Sequence, residues 1–580
     1  MDLRRSQFLR LAAAIACIIA VARADAARVT TRVEGLNDRL TDAVEDAIEI
    51  RRYRQREVSA AQARRLFERG KAEAARALEP YGYYHAEVEA ALTEGRDGFV
   101  ATYTIAPGEP VRVGAVSIEL DGDARERRIV RRALAAFEPD EGDVLDHGAY
   151  ETGKRNIQGA LVASGYLDAE VATHRVEVIA AENRATIALA WKVGPRYVFG
   201  PTGFSGAQLE DALLARYVPW REGAFYSQAE LLKLQQRLTD AEYFSVVEVA
   251  PDVEKAEDGV VPINVAVIPA KRSLYTGGFF VGTDTGFGVR AGLERRYVNR
   301  RGHKWNVGTE FSQRLRTVSS TYTIPLPGRN NRSWNFGAAY RDERTDTSES
   351  RTTKLAANET REWRDWTLTY GPQIVTGDFT VAEEDGSSTL LYPEVSLTRK
   401  VADDVDFPRR GWSITAVARA AAEGFLSDTS FASVRGDAKY VRGLGPRGRF
   451  IARGTLGAMH VDDFDELPPE LRYFAGGDRS IRGYGYQEIG PRNARELVVG
   501  GEYLAVASAE YEHYFVERWG GAVFVDAGDA FTDDFDTKLG AGVGVRWRSP
   551  IGLVRLDVAK PVGDAFESGV ALHLVIGPDL

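Results

Sequence analysis

The sequence predicts a mixed fold in which tandem α+β modules lead into an antiparallel β-barrel of the kind that spans a membrane. Three observations predict it. Composition changes near residue 271, a helix-then-two-strands pattern recurs before that point, and apolar and polar residues alternate with period two after it.

The chain opens with a segment that has the three parts of an export signal. Arg4, Arg5 and Arg10 supply a positive region, residues 11–21 an uncharged apolar core, and Ala22-Arg23-Ala24 small residues at the cleavage spacing. The expected signal peptide is therefore 1–24. Its apolar core is too short to cross about 30 Å of hydrocarbon as a helix. The one cysteine of the 580 residues, Cys17, lies within it, so the exported chain offers neither disulfides nor thiolate metal ligands. A formal charge of -10 gives no reason to expect a nucleic-acid partner.

Residues 1–271 hold 19 Gly and 2 Trp, against 38 Gly and 7 Trp in 272–580. The first part is rich in Ala, Glu and Arg, as amphipathic helices require. Helical patterns at 58–78, 150–163 and 228–241 each run into an aromatic-led strand pattern, at 82–88, 165–171 and 243–249. A second strand pattern follows each, at 99–105, 186–193 and 260–268. A repeat of about 80 residues can bury one small sheet under two helices, so three modules are expected, at 27–108, 109–194 and 195–270. A single α/β domain would instead alternate strand and helix throughout.

From 271 to 580 the expectation is a barrel. Phe287, Val289, Ala291 and Leu293 alternate with Gly288, Arg290, Gly292 and Glu294, and Leu539, Ala541, Val543, Val545 and Trp547 alternate with Lys538, Gly540, Gly542, Gly544 and Arg546. A water-soluble sandwich alternates in the same way. Three features point to lipid: many arginines and lysines on the polar face, aromatics at segment ends such as Tyr297, Trp305, Trp334, Trp363 and Trp412, and the export signal.

The most specific segment is Gly476-Gly477-Asp478-Arg479-Ser480-Ile481-Arg482-Gly483-Tyr484-Gly485-Tyr486, within a polar stretch at 461–497 between two strand patterns. Its Ile481-Arg482-Gly483-Tyr484 resembles the loop-six signature of the barrel assembly and two-partner secretion superfamily, whose members join periplasmic POTRA domains to a 16-stranded barrel. Val523-Phe524-Val525-Asp526-Ala527-Gly528 and Gly542-Val543-Gly544-Val545-Arg546 resemble two strand motifs of the same superfamily. Three modules and no plug helix most resemble its TamA branch. The resemblance implies that Arg482 reaches inside the barrel to Asp526, with Phe524 beside it and Gly528, Gly542, Gly544 and Arg546 lining the loop. Parity agrees, since Phe524, Asp526 and Gly528 share one face.

Closure pairs the first and last strands. Gly277, Gly278 and Gly577 weaken that seam, which includes Leu574, and an opened seam would template an incoming strand. Strand ends alone would account for these glycines equally well. The resemblance implies an outer-membrane assembly factor of a Gram-negative cell, with its POTRA modules in the periplasm. Implied partners are unfolded outer-membrane β-barrel clients such as autotransporters, outer-membrane lipid and an inner-membrane-anchored TamB-like protein. A two-partner secretion channel and a BamA-like general assembly protein are the alternatives. No nucleophile, P-loop or metal-ligand pattern appears, so neither enzymatic activity, cofactor nor metal is expected.

Overall fold

The computed structural model describes residues 28–95, 98–326, 332–404, 407–549, 552–563 and 569–576; the expected signal peptide and Gly577 lie outside them. The described chain forms two compact units.

The first module runs β1 (Arg28–Glu34), α1 (Asp38–Ala47), α2 (Ala60–Leu78), β2 (Glu87–Gly95) and β3 (Gly98–Ala106). Its sheet has the order β1-β3-β2, with β1 parallel and β2 antiparallel to the central strand. Asn37 and Ser59 accept the backbone N–H groups of Leu40 and Gln62, which starts both helices where unpaired amides would otherwise be left. The helices bury Leu40, Val44, Leu66, Phe67 and Leu78 against Val29, Phe99, Tyr103 and Ile105 of the sheet.

The second module repeats this plan. It contains β4 (Arg112–Leu120), α3 (Arg128–Ala135), α4 (His147–Ala163), β5 (Glu170–Ile179) and β6 (Arg184–Lys192), in the order β4-β6-β5. Asp146 caps α4 by accepting from Gly148 and Ala149. The third carries β7 (Val198–Ser205), α5 (Asp211–Leu214), α6 (Gln228–Asp240), β8 (Phe244–Pro251) and β9 (Val260–Pro269), with strand order β7-β9-β8.

The aromatic leaders differ from expectation. Tyr83, Tyr84 and Tyr166 precede their strands instead of opening them. Tyr83 packs on the core of the first module and Tyr84 on that of the second, while Tyr166 is buried inside the second. Large rings here fill space at the helix-to-strand corner, a role that a period-two pattern cannot separate from strand residence.

Sixteen strands, β10 (Ser273–Gly282) to β25 (Ala571–Ile576), form one antiparallel sheet in which every strand pairs with its sequence neighbours. The sheet curls into a nearly closed barrel, with β10 and β25 side by side at its seam. Alternation runs in the direction lipid requires. Along β22 (Trp519–Phe531), Val523 and Val525 are exposed outward while Phe524 and Asp526 are buried inward. Tyr275, Phe279, Phe311, Leu456, Val543 and Leu572 are likewise exposed. A sandwich in water would bury this apolar face and expose the charges, so the soluble alternative fails. No helix among the described residues is long and apolar enough to cross a membrane.

The stretch between β20 (Gly448–Val461) and β21 (Tyr503–Tyr514) folds onto the inner wall. Leu467, Leu471, Tyr473, Ala475, Ile481 and Ile489 form an apolar cluster with wall residues Tyr392, Phe431, Met459 and Leu504. The loop thus carries its own core. Residues 498–502, which read as strand in sequence, belong to this loop, where bridges such as Arg492 to Val498 fold the chain back on itself.

The lipid-facing assignment is testable at Leu456, near the middle of β20. Leu456→Arg is expected to destabilise the barrel by about 2–4 kcal/mol in denaturant titrations in lipid vesicles. In a water-facing sheet the same change would be close to neutral.

Candidate functional site: the loop inside the barrel

Loop six brings Arg482 to the inner wall by a turn that only glycines permit. Gly476, Gly477 and Gly483 have φ of 95°, 96° and 102°. A Cβ on Gly483 would lie 2.9 Å from the Lys560 carbonyl carbon, so the residue after the arginine also needs the absence of a side chain.

Arg482 is 3% exposed. Its Nε and Nη2 donate to Asp526 Oδ2 and Oδ1 at 2.7 and 3.0 Å, the two-pronged geometry that a planar guanidinium favours. The Arg482 backbone N–H donates to the same carboxylate at 3.1 Å. Nη1 donates to Glu510 at 2.8 Å and to Asp557 at 2.9 Å. The guanidinium carbon sits 3.4 Å from the centroid of the Phe524 ring.

A second guanidinium completes the arrangement. Arg546, on β23 (Lys538–Ser549), donates to Glu510 at 2.6 Å, to Glu512 at 2.8 Å and to Asp557. Glu512 also accepts from Arg449, and Arg453 approaches Asp526 at 3.7 Å. Four arginines, 449, 453, 482 and 546, therefore stand against four carboxylates, 510, 512, 526 and 557. Matched charge is what lets such groups leave water without a large penalty.

The strand register places these groups. Glu510 lies opposite Phe524, and Ser508 opposite Asp526. Gly540 and Gly542 lie opposite Asp526 and Phe524, and Gly544 opposite Asp557 of β24 (Gly552–Val562). The glycines make room in three ways. A Cβ on Gly540 would fall 1.9 Å from the Arg482 carbonyl oxygen, one on Gly542 would meet the Val558 carbonyl oxygen and the Phe524 ring, and one on Gly544 would meet Asp557 and Arg546. The loop backbone is thus admitted at Gly540, while Gly542 and Gly544 admit side chains of the wall. Gly528, expected beside the loop, has φ of 153° and instead backs onto Ala505 of β21.

Of the expected residues, Ile481, Arg482, Gly483, Phe524, Asp526 and Arg546 come together. Tyr484 is half-buried against the loop's apolar cluster. Glu510, Glu512, Asp557, Arg449, Arg453 and Gly540 were not expected. Glu510 and Glu512 carry a signal, being two carboxylates on one inward face; Gly540 continues the glycine parity of 542 and 544.

At the seam, Gly277 has nothing within 4 Å of a built Cβ, and Gly278 only the Arg290 side chain, so packing does not demand either glycine. Leu574 donates its N–H to Thr283 Oγ1 at 3.4 Å. Beside it, Asp284, Asp478 and His573 each bring one potential ligand atom within 4.8 Å of the others. Asp284 occupies the turn between β10 and β11 (Gly286–Arg295), outside the spanning strands. Burial and the facing Asp478 carboxylate push its acid up to about 6.

Three family models match. The Omp85 superfamily domain covers residues 275–574, the POTRA domain TamA domain 1 covers 30–107, and the POTRA model described as surface antigen variable number repeat covers 197–269. An outer membrane protein assembly factor BamA of Nitratidesulfovibrio vulgaris is 21% identical over 505 residues, which is 83% of this chain and 64% of that protein. The chain thus spans less than two thirds of that relative's length. The structure of BamA from Haemophilus ducreyi lacking POTRA domains 1-3 has a TM-score of 0.68 at 17% identity, covering 80% of this chain and 99% of that one. CdiB from Acinetobacter baumannii has a TM-score of 0.47 at 11% identity, over 80% and 90% of the two chains.

Arg482→Ala leaves buried carboxylates without their cation and is expected to cost about 3–5 kcal/mol in denaturant unfolding of the barrel. Arg482→Ala with Asp526→Ala is expected to cost less than the sum of the single changes. Asp284, with its acid raised in the folded state, adds stability that is present below the ordinary carboxylate range and lost as pH rises through about 6. Asp284→Asn, neutral at every pH, is therefore expected to raise the denaturant midpoint over the native chain at pH 8 and to match it at pH 4.

Proposed function

The chain belongs to the Omp85 superfamily, whose barrels lie in the outer membrane with their POTRA modules in the periplasm, and from that premise we propose that it is an assembly factor for outer-membrane β-barrel proteins. The observation that carries this reading is the pairing of a loop fixed inside the barrel with a seam that has no backbone ladder across it among the described residues. A passive pore needs neither. An incoming client strand needs unpaired backbone donors and acceptors at a sheet edge, and a parted seam supplies two such edges.

Within the superfamily we place the chain in the TamA branch. Supporting this are three consecutive α+β modules and the match of the first to a TamA-type POTRA model. The partners are then unfolded clients, autotransporters among them, surrounding lipid, and an inner-membrane-anchored TamB-like protein that docks on the periplasmic modules. No nucleotide or cofactor enters the scheme. Strand pairing and burial of the client's apolar face in lipid supply the driving force. The BamA relative favours a second reading as a general assembly factor.

Depletion separates these readings. For a TamA-type role, surface display of autotransporter passengers is expected to fall while bulk outer-membrane protein levels hold, and Arg482→Ala in a correctly inserted barrel should reproduce that loss. Collapse of all outer-membrane barrels would point to the general role, and large steady conductance in planar bilayers to a secretion channel.

A further inference from the structure

The described part of β25 is six residues long and makes no backbone pair with β10. Among the described residues one long direct bond spans the two ends, from the Leu574 N–H to Thr283 Oγ1 at 3.4 Å, and the shorter links run through the tip of loop six. Asp478 Oδ1 accepts from Thr283 Oγ1 at 2.7 Å, and the Asp478 backbone N–H donates to Asp284 Oδ2 at 3.0 Å, so one loop residue is bonded twice to the first hairpin. The same Oδ1 meets Nδ1 of His573, on the last strand, at 2.5 Å. Five residues further on, the Gly483 backbone N–H donates to His573 Nε2 at 3.0 Å.

His573 is buried, and both its ring nitrogens are engaged by the loop. Because Nε2 accepts from an amide, the proton of the neutral ring resides on Nδ1 and is donated to Asp478. Gly477 allows the close approach, since a Cβ there would lie 2.8 Å from Asp284 Oδ2. A divalent cation bound at Nδ1 would force that proton to Nε2, against the Gly483 N–H. The cluster is therefore suited to hydrogen bonds in place of a metal.

We propose that the tip of loop six is the fastener of the seam: Asp478 and Gly483 grip His573 of the last strand while Asp478 holds Thr283 and Asp284 of the first hairpin. Asp478 and His573 are positioning residues. The seven residues from Gly477 to Gly483 also carry Arg482, so the strands cannot part without withdrawing, or letting go of, a loop anchored at Asp526. This deepens the seam reading above and rests on it for its use, but the seam can be observed directly, without a client.

The test uses the full chain in lipid nanodiscs with Cys17 replaced and spin labels at Phe279→Cys and Leu572→Cys, both exposed on the outer face. The parent chain is expected to give one short distance. His573→Ala and Asp478→Ala should add a population longer by about one strand spacing, ~4.8 Å, or more. His573→Asn, whose carboxamide both donates and accepts, should restore the short distance, whereas His573→Leu, which only fills space, should not. A short distance in His573→Leu would overturn the proposal, because packing would then suffice. Lengthening of the parent distance by EDTA would overturn it in favour of a metal staple. If His573→Ala fails to insert, Asp478→Ala alone removes the loop side chain that holds both Thr283 and His573 while leaving the direct Leu574 to Thr283 bond in place; an unchanged distance there would also overturn it. A parted seam in His573→Ala with client assembly intact would support the fastener and overturn the assembly reading instead.

Discussion

The structure depends on burying a guanidinium inside a barrel and surrounding it with carboxylates that match its charge. Arg482 arrives on a loop, so its partners must be waiting on the wall, and they come from three strands: Glu510 on β21, Asp526 on β22 and Asp557 on β24. Each of those carboxylates would be costly alone in a shielded lumen. Arg546 therefore does more than add an ion pair. By binding Glu510, Glu512 and Asp557 together, it holds the acids in place for the loop to meet. That requirement fixes the register of β20 to β24, because a slip of one residue would turn the charges into lipid and bring valines inward.

The same constraint explains the glycines of β23. The lumen there is filled by a loop backbone, an aromatic ring and a carboxylate–guanidinium contact, and 540, 542 and 544 give up their side chains to one of these each. Glycine costs a strand stability. It is retained where the space it leaves is used by something worth more.

Much of this was legible in the sequence. The three-module plan follows from helix and strand periods that no single domain would repeat, and the inward parity of Phe524, Asp526 and Arg546 follows from alternation alone. The meeting of Arg482 with Asp526 needed the motif resemblance, because 43 intervening residues of loop and strand leave no local pattern to link them. Glu510, Glu512 and Asp557 stayed hidden for a different reason. An inward carboxylate looks the same in sequence whether it faces a hydrated lumen or a buried arginine. The aromatic leaders Tyr83, Tyr84 and Tyr166 were misplaced because rings are favoured both in strands and at packed corners.

Strand length sets the seam apart from the rest of the sheet. Far from it, β17 (Glu384–Ala402) runs 19 residues, whereas β10 runs 10 and the described β25 only 6. A long antiparallel ladder resists opening because every residue adds a bond and the bonds must break together. A seam held instead by a few side-chain contacts opens at a cost set by those contacts alone. Its strength can then change when the loop moves, without altering any strand. Among the described contacts at the seam, those of Asp478 and Gly483 to His573 lie within five residues of the arginine that anchors the loop. The charge network that holds Arg482 thereby bears on how firmly the proposed fastener grips the two ends of the sheet.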